Sequence, residues 1–189
     1  MTTQVKEYRV LALSGSLRTG SYNTALLYAA QRLAPSRMSI QVYPGIGSLP
    51  LYNQQLENGT LPAPVQDLHR HVVQADALLL ATPEHNASMP AALKNAIDWM
   101  SRMPDGAGMA DKPVAVTGAS PGALGSVRAQ LALRQTLASV GADVLAKPEV
   151  IVFHAHERFD ADGALIDENS RNLVVDVLAA LELRIQRRG

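Results

Sequence analysis

Val10-Leu-Ala-Leu-Ser-Gly-Ser-Leu-Arg-Thr-Gly-Ser-Tyr-Asn23 is the stretch that decides how this chain is read. Four apolar residues lead through a hydroxyl-rich loop into a segment with Leu26, Ala29, Ala30 and Leu33 on one helical face. That is strand, loop, helix, the place where an open α/β sheet holds a phosphate. Backbone N–H groups, the hydroxyls of Ser14, Ser16, Thr19 and Ser21, and the positive end of the helix dipole converge there on one anion. Arg18 adds a charge-assisted contact. The loop has no Gly-Lys-Ser/Thr, so a triphosphate with magnesium is poorly served, and it lacks the three glycines of a dinucleotide loop. It suits a terminal phosphomonoester. The competing interpretation is an ordinary polar turn with Asn23 as helix N-cap.

Further strands follow from apolar runs at Ala77–Ala81, Val114–Thr117 and Val150–Phe153, continuous as in strands buried on both faces. Met38-Ser-Ile-Gln-Val-Tyr43 alternates instead, as a half-exposed edge strand does. Helical spacing recurs at Leu93, Ala96, Ile97 and Met100, at Ala129, Leu133, Leu137 and Val140, and from Val174 to Ile185. Pro90 suits the first turn of a helix and Gly141 the end of one. Strands alternating with helices predict one α/β domain over residues 1–189, a doubly wound five-stranded parallel sheet of order 2-1-3-4-5 with helices on both faces. That arrangement is flavodoxin-like and binds its ligand between strands one and three. A Pro-rich loop from Pro44 to Pro64 and an irregular stretch from Pro104 to Pro113 are expected to border a site or an interface.

With 17 basic and 17 acidic residues the chain carries no formal net charge, which argues against a nucleic-acid footprint or a polybasic membrane anchor. Arg184, Arg187 and Arg188 are expected to complement a helix C-terminus. The absence of cysteine excludes disulfides, thiol catalysis and cysteine-ligated metals. No apolar leader or membrane-length segment is visible, so a soluble cytoplasmic protein is expected.

Pro83-Glu84-His85-Asn86 follows the third strand and Ser120-Pro121-Gly122 the fourth, on the same sheet edge as the phosphate loop. The first suits the polar edge of a planar heteroaromatic ring, and the second a rigid wall against it. A phosphomonoester such as that of FMN, with its isoalloxazine, satisfies all three loops. Glu84 lacks an acid/base partner and is expected to be a dipole complement or ion pair. Gly118-Ala-Ser-Pro-Gly122 matches the hydrolase elbow in letters, but Pro121 has no N–H for an oxyanion hole. His69 and His71 point to different sides of a helix. His154 and His156 could share a strand face but lack a third metal ligand, so no metal site is assigned. Trp99 is expected to be packing or interface, not a stacking platform.

Gly15-Ser-Leu-Arg-Thr-Gly-Ser-Tyr-Asn23, Pro83-Glu-His-Asn86, Leu93-Lys-Asn-Ala-Ile-Asp-Trp99, Ser120-Pro-Gly122, Gly125-Ser-Val-Arg-Ala-Gln130 and Lys147-Pro-Glu-Val150 together resemble the NADPH-dependent FMN reductase family, in its chromate- and quinone-reductase branch. The resemblance implies bound FMN, with phosphate on Ser16, Arg18, Ser21 and Asn23, beside Tyr22. It places the isoalloxazine against Pro83, Glu84, His85 and Asn86 and near Ser120, Pro121 and Gly122. It further implies NADPH or NADH as co-substrate, ping-pong hydride transfer through flavin N5, and a homodimer or homotetramer. No side chain needs to transfer the proton, so no catalytic residue is assigned. Quinones, chromate, azo compounds or free flavin are the implied acceptors; a non-enzymatic FMN electron carrier is the alternative. His85 replaces the family's usual Tyr and is expected to alter acceptor preference. Ala87 replaces a larger or polar residue, and Ser126 a Gly. Arg128 and Glu149 are expected to pair across subunits.

Overall fold

The computed structural model describes residues 7–104 and 108–188. In chain order the elements are β1 (Tyr8–Ser14), α1 (Tyr22–Leu33), β2 (Met38–Tyr43), α2 (Ala63–Gln74), β3 (Ala77–Ala81), α3 (Ala91–Ser101), β4 (Pro113–Ala119), α4 (Val127–Ser139), β5 (Asp143–Val144), β6 (Val150–Val152), α5 (Ala155–Arg158) and α6 (Glu168–Gln186). The strands pair in parallel in the order β2-β1-β3-β4-β5, the flavodoxin-like order expected from the apolar runs.

One feature differs from that expectation. The place beside β4 is shared by two short strands: β5 pairs with Pro113 and Val114, and β6 pairs with Thr117, Gly118 and Ala119. Between them the chain leaves the ladder through Lys147-Pro148-Glu149, where proline has no N–H to donate. Phe153, expected within the strand, lies beyond β6 and is exposed.

The period-two geometry of the strands distributes the core to both faces. Val10, Ala12 and Leu79 pack with Leu26 and Leu27 of α1 and with Val174, Leu178 and Leu181 of α6. Leu11, Leu13, Leu78 and Leu80 pack with Val65, Leu68 and Val72 of α2, Ile97 and Met100 of α3, and Leu133 and Leu137 of α4. Gly141, at φ +77°, lies just past the end of α4 as expected.

The Pro-rich loop is pinned along its length. It holds two short 3-10 turns, Gly45–Ser48 and Gln54–Glu57. Trp99 Nε1 donates to Pro50 O at 2.8 Å, and Tyr52 N donates to Asn95 Oδ1 at 2.7 Å. The Tyr52 ring meets Trp99 edge-on at 5.1 Å, so the buried indole is packing, as expected. The arginines at the end of α6 reach across to the sheet: Arg184 pairs with Asp143 at 3.3 Å, and Arg188 with Asp111 at 4.0 Å.

Candidate active site

A cleft of about 830 Å³ opens at the C-terminal ends of β1, β3 and β4, a size typical of small-molecule sites. Its walls include Ser16, Arg18, Ser21, Tyr22, Asn23, Pro83, Glu84, His85, Ser120 and Pro121. Asn86 and Gly122 are not among its lining residues. Gly15, Leu17, Pro90, Ala91, Ala92 and Ala119 also line it and were not read from the sequence. They are small or apolar, and such residues carry no chemical signature in a sequence.

One end is built for an anion. Ser21, not Asn23, is the N-cap of α1, its Oγ accepting from Asn23 N at 3.2 Å and Thr24 N at 3.4 Å. Serine fills that role because its short side chain folds back onto the first free N–H groups of the helix. Among the described residues the amides of Leu17, Thr19, Gly20, Ser21 and Tyr22 donate to no protein acceptor. The loop from Ser14 to Thr24 contains no carboxylate, and Arg18 stands exposed beside it, 5.8 Å over the Tyr22 ring. Ser14 is different: it is buried, and its Oγ accepts from Thr24 Oγ1 at 2.9 Å and Ser16 N at 3.3 Å. It shapes the loop from within.

Asn23 is also turned inward. Its Nδ2 donates to Ala119 O at 2.9 Å, and its Oδ1 accepts from Ala119 N at 2.9 Å. The carboxamide therefore joins the phosphate loop to the third wall of the cleft. A comparable closeness holds the first and second walls together. A Cβ on Gly15 would lie 2.8 Å from Pro90 Cγ and 3.2 Å from Pro83 Cδ, so only glycine permits this approach.

The rest of the lining is largely small or apolar, with Pro83, Pro90, Ala91, Ala92, Ala119 and Pro121. Ser120 Oγ accepts from Gly122 N at 3.2 Å, and six residues separate Ser120 from α4, so no tight strand-to-helix elbow forms. Glu84 faces α4: it accepts from Arg128 N at 3.2 Å and Arg128 Nε at 2.7 Å, and also meets Arg128 Nη2. These bonds, the side-chain one foremost, hold its carboxyl below the usual carboxylate range. Arg128 thus pairs within its own chain. Within the chain Glu149 pairs with Lys147 at 2.7 Å.

His154 and His156 do not share a strand face. His154 is in the left-handed region at φ +47°, ahead of α5, and the two rings stack at 6.1 Å. Among the described residues no group of three His, Cys, Asp or Glu side chains is placed to hold a metal ion.

Residues 8–157 match the sequence profile described as NADPH-dependent FMN reductase. The chain belongs to that family. An NAD(P)H-dependent FMN reductase of Pseudomonas aeruginosa is 46% identical over 181 residues, covering 96% of this chain and 97% of that protein. A quinone reductase of Escherichia coli is 38% identical over 185 residues, covering 96% and 97%. The solved structure of FerB, a flavoenzyme NAD(P)H:(acceptor) oxidoreductase from Paracoccus denitrificans, superposes with a TM-score of 0.85 at 36% identity, over 95% of this chain and 98% of that one. As an FMN reductase family member the chain is an oxidoreductase that uses FMN and NAD(P)H.

The cleft fits that cofactor. Unpartnered amides, a capping serine and an arginine suit its phosphate, and a wall of proline and alanine suits a flat ring.

Proposed function

We propose that this FMN reductase family member oxidises NAD(P)H and reduces quinones or similar two-electron acceptors in the one cleft at the sheet edge. The observation that carries the proposal is the joining of an anion cradle and an open apolar wall in a single cavity. FMN, when bound, supplies the two-electron exchange between the nicotinamide and the acceptor.

The chain's own part is binding and placement. Ser16, Arg18 and Ser21, with the free amides of Leu17, Thr19, Gly20, Ser21 and Tyr22, would hold the phosphate, and Tyr22 buttresses Arg18. Pro83, His85, Ser120 and Pro121 line the cleft where the ring would be held, and the cleft is open to donor and acceptor. Glu84, ionised and held by Arg128, fixes the ring wall to α4 and is not free to move a proton. Asn23 acts through Ala119 as a positioning residue. Gly122 and Asn86 contribute by shaping the turns behind Ser120 and His85.

The proposal includes a cytoplasmic homodimer or homotetramer. Exposed Leu124, Leu131 and Phe153, around the start of α4 and the end of β6, are apolar surface that such an assembly covers. Among the described residues no helix is long and apolar enough to cross a membrane. An electron-carrier role fits less well, because carriers present an acidic docking face and this chain is neutral overall.

Steady-state rates of NADPH oxidation at several fixed quinone concentrations test the reading. Parallel double-reciprocal lines are expected, because donor and acceptor use one site in turn. No oxidation by the FMN-loaded protein with any quinone or flavin would leave the carrier reading in its place.

A further inference from the structure

His85 is the residue at the tip of the second wall. Its N–H donates to Ser88 O and its C=O accepts from Ser88 N, both at 2.9 Å, closing a two-residue turn. Asn86 and Ala87 occupy the turn at φ +50° and +63°, the left-handed pair that a tight two-residue reversal requires. On the other side Glu84 is tied to Arg128 of α4. The backbone is therefore fixed on both sides of His85. The imidazole itself is exposed at the cleft and has no hydrogen bond or ion pair among the described residues.

The charges around it leave one role open. Arg18 lies at the phosphate end of the cleft, and Glu84 is neutralised by Arg128. Besides the Tyr22 phenol, no other titratable side chain among the described residues lines the cavity. Histidine changes charge between about pH 5 and 8, and its charged ring donates from both nitrogens. Beside apolar walls such a charge is screened less than in open water.

We propose that His85 selects acceptors bearing a negative group beside the reducible ring, such as ring-sulfonated or ionised ring-hydroxylated quinones, over neutral quinones. The proposal rests on the reductase reading and names the substrate class of that same site.

The test uses FMN-loaded protein without electron donor, and a naphthalene sulfonate that cannot be reduced. Calorimetric titration is expected to give a Kd about three- to tenfold lower at pH 6 than at pH 8. Naphthol, uncharged at both values, is expected to show no such difference. The sulfonate stays anionic throughout, so the change must come from the protein or from the FMN phosphate. His85→Gln separates these: it is expected to remove the pH difference and leave the weaker Kd. His85→Lys is expected to keep the tighter Kd at both values. A pH difference that survives in His85→Gln, or that naphthol shares, overturns the proposal. In turnover, the ratio of kcat/KM for naphthoquinone sulfonate to that for naphthoquinone is expected to fall in His85→Gln. Sulfonate binding as described with no NADPH oxidation by either quinone would instead count against the reductase reading alone.

Discussion

Asn23 and Ala119, 96 positions apart in sequence, exchange two hydrogen bonds of 2.9 Å: Nδ2 to carbonyl and amide N–H to Oδ1. Both residues are buried. The pairing ties the first turn of α1 to the last residue of β4, and so sets the distance between the anion cradle and the wall that begins at Ser120.

Removing that carboxamide leaves two buried backbone groups without partners. Asn23→Ala is expected to lower stability by about 2 kcal/mol in urea unfolding. It should also weaken FMN binding by moving the walls apart. Asn23→Asp keeps the acceptor for Ala119 N but sets a carboxylate against Ala119 O and near the anion cradle. Its FMN affinity is expected to fall further than that of Asn23→Ala, read by flavin fluorescence quenching. Equal affinities in wild type and both variants would show that Asn23 does not position the cleft.

Arg18 is assigned to the phosphate and nothing else. Arg18→Ala is expected to raise the Kd for FMN by about ten- to a hundredfold, the worth of a charge-assisted hydrogen bond. Riboflavin, which shares the ring and ribityl chain but has no phosphate, should bind wild type and variant alike. Comparable losses for both flavins would place Arg18 against the ring instead.

Much of this was legible in the sequence, for identifiable reasons. Continuous apolar runs marked β1, β3 and β4 as central and the alternating run marked β2 as an edge, because parallel strands covered on both faces admit no polar side; Val150–Phe153, equally continuous, lies at the opposite edge, with Phe153 exposed. That Ser16, Arg18 and Ser21 share one cleft was legible because hydroxyls and a cation in a strand-to-helix loop announce their chemistry. The divided fifth strand was not, since two residues such as Asp143 and Val144 show no period. Asn23 was expected on the phosphate from the family resemblance, or at the helix cap in the competing interpretation; its pairing with Ala119 stayed hidden because that partner is brought close only by the fold. Pro90, Ala91 and Ala92 stayed silent because a flat apolar wall is made of residues used everywhere.

Ser126 is a place where the chain departs from local preference. It lies buried at φ +88°, immediately before α4, where a side chain crowds its own backbone. Its Oγ is 3.4 Å from Gln130 Nε2, a long bond that offsets little. Ser126→Gly is expected to stabilise the protein by about 1 kcal/mol, seen as a higher urea midpoint. Gly118, close by, gives the opposite result. A Cβ there would come 2.5 Å from Thr82 O, so Gly118→Ala should lower the midpoint.

Glu84 makes stability depend on acid in a defined direction. The hydrogen bond from the Arg128 side chain holds the folded carboxyl below its ordinary range, so the unfolded chain takes up the proton first as pH falls. The contribution is fully present above the ordinary range of an unfolded glutamate and is lost as pH drops through the lower folded value. Glu84→Gln is expected to cost about 1 kcal/mol at pH 7, since Arg128 is half exposed and the pair is screened. The gap between wild type and variant should narrow as the pH is taken below 4. Glu57, Glu149 and Asp167 are also held low, foremost by side-chain hydrogen bonds from Arg102, Lys147 and Ser170, so the difference between the two proteins, and not either curve alone, isolates Glu84.

If one cleft binds FMN and passes electrons from NAD(P)H to a quinone, an anaerobic absorption titration of the FMN-loaded protein will show both halves of the cycle. One equivalent of NADPH should bleach the visible flavin bands, and one equivalent of quinone should restore them. Bands that NADPH and NADH both leave untouched, or that stay bleached after quinone is added, would contradict that reading.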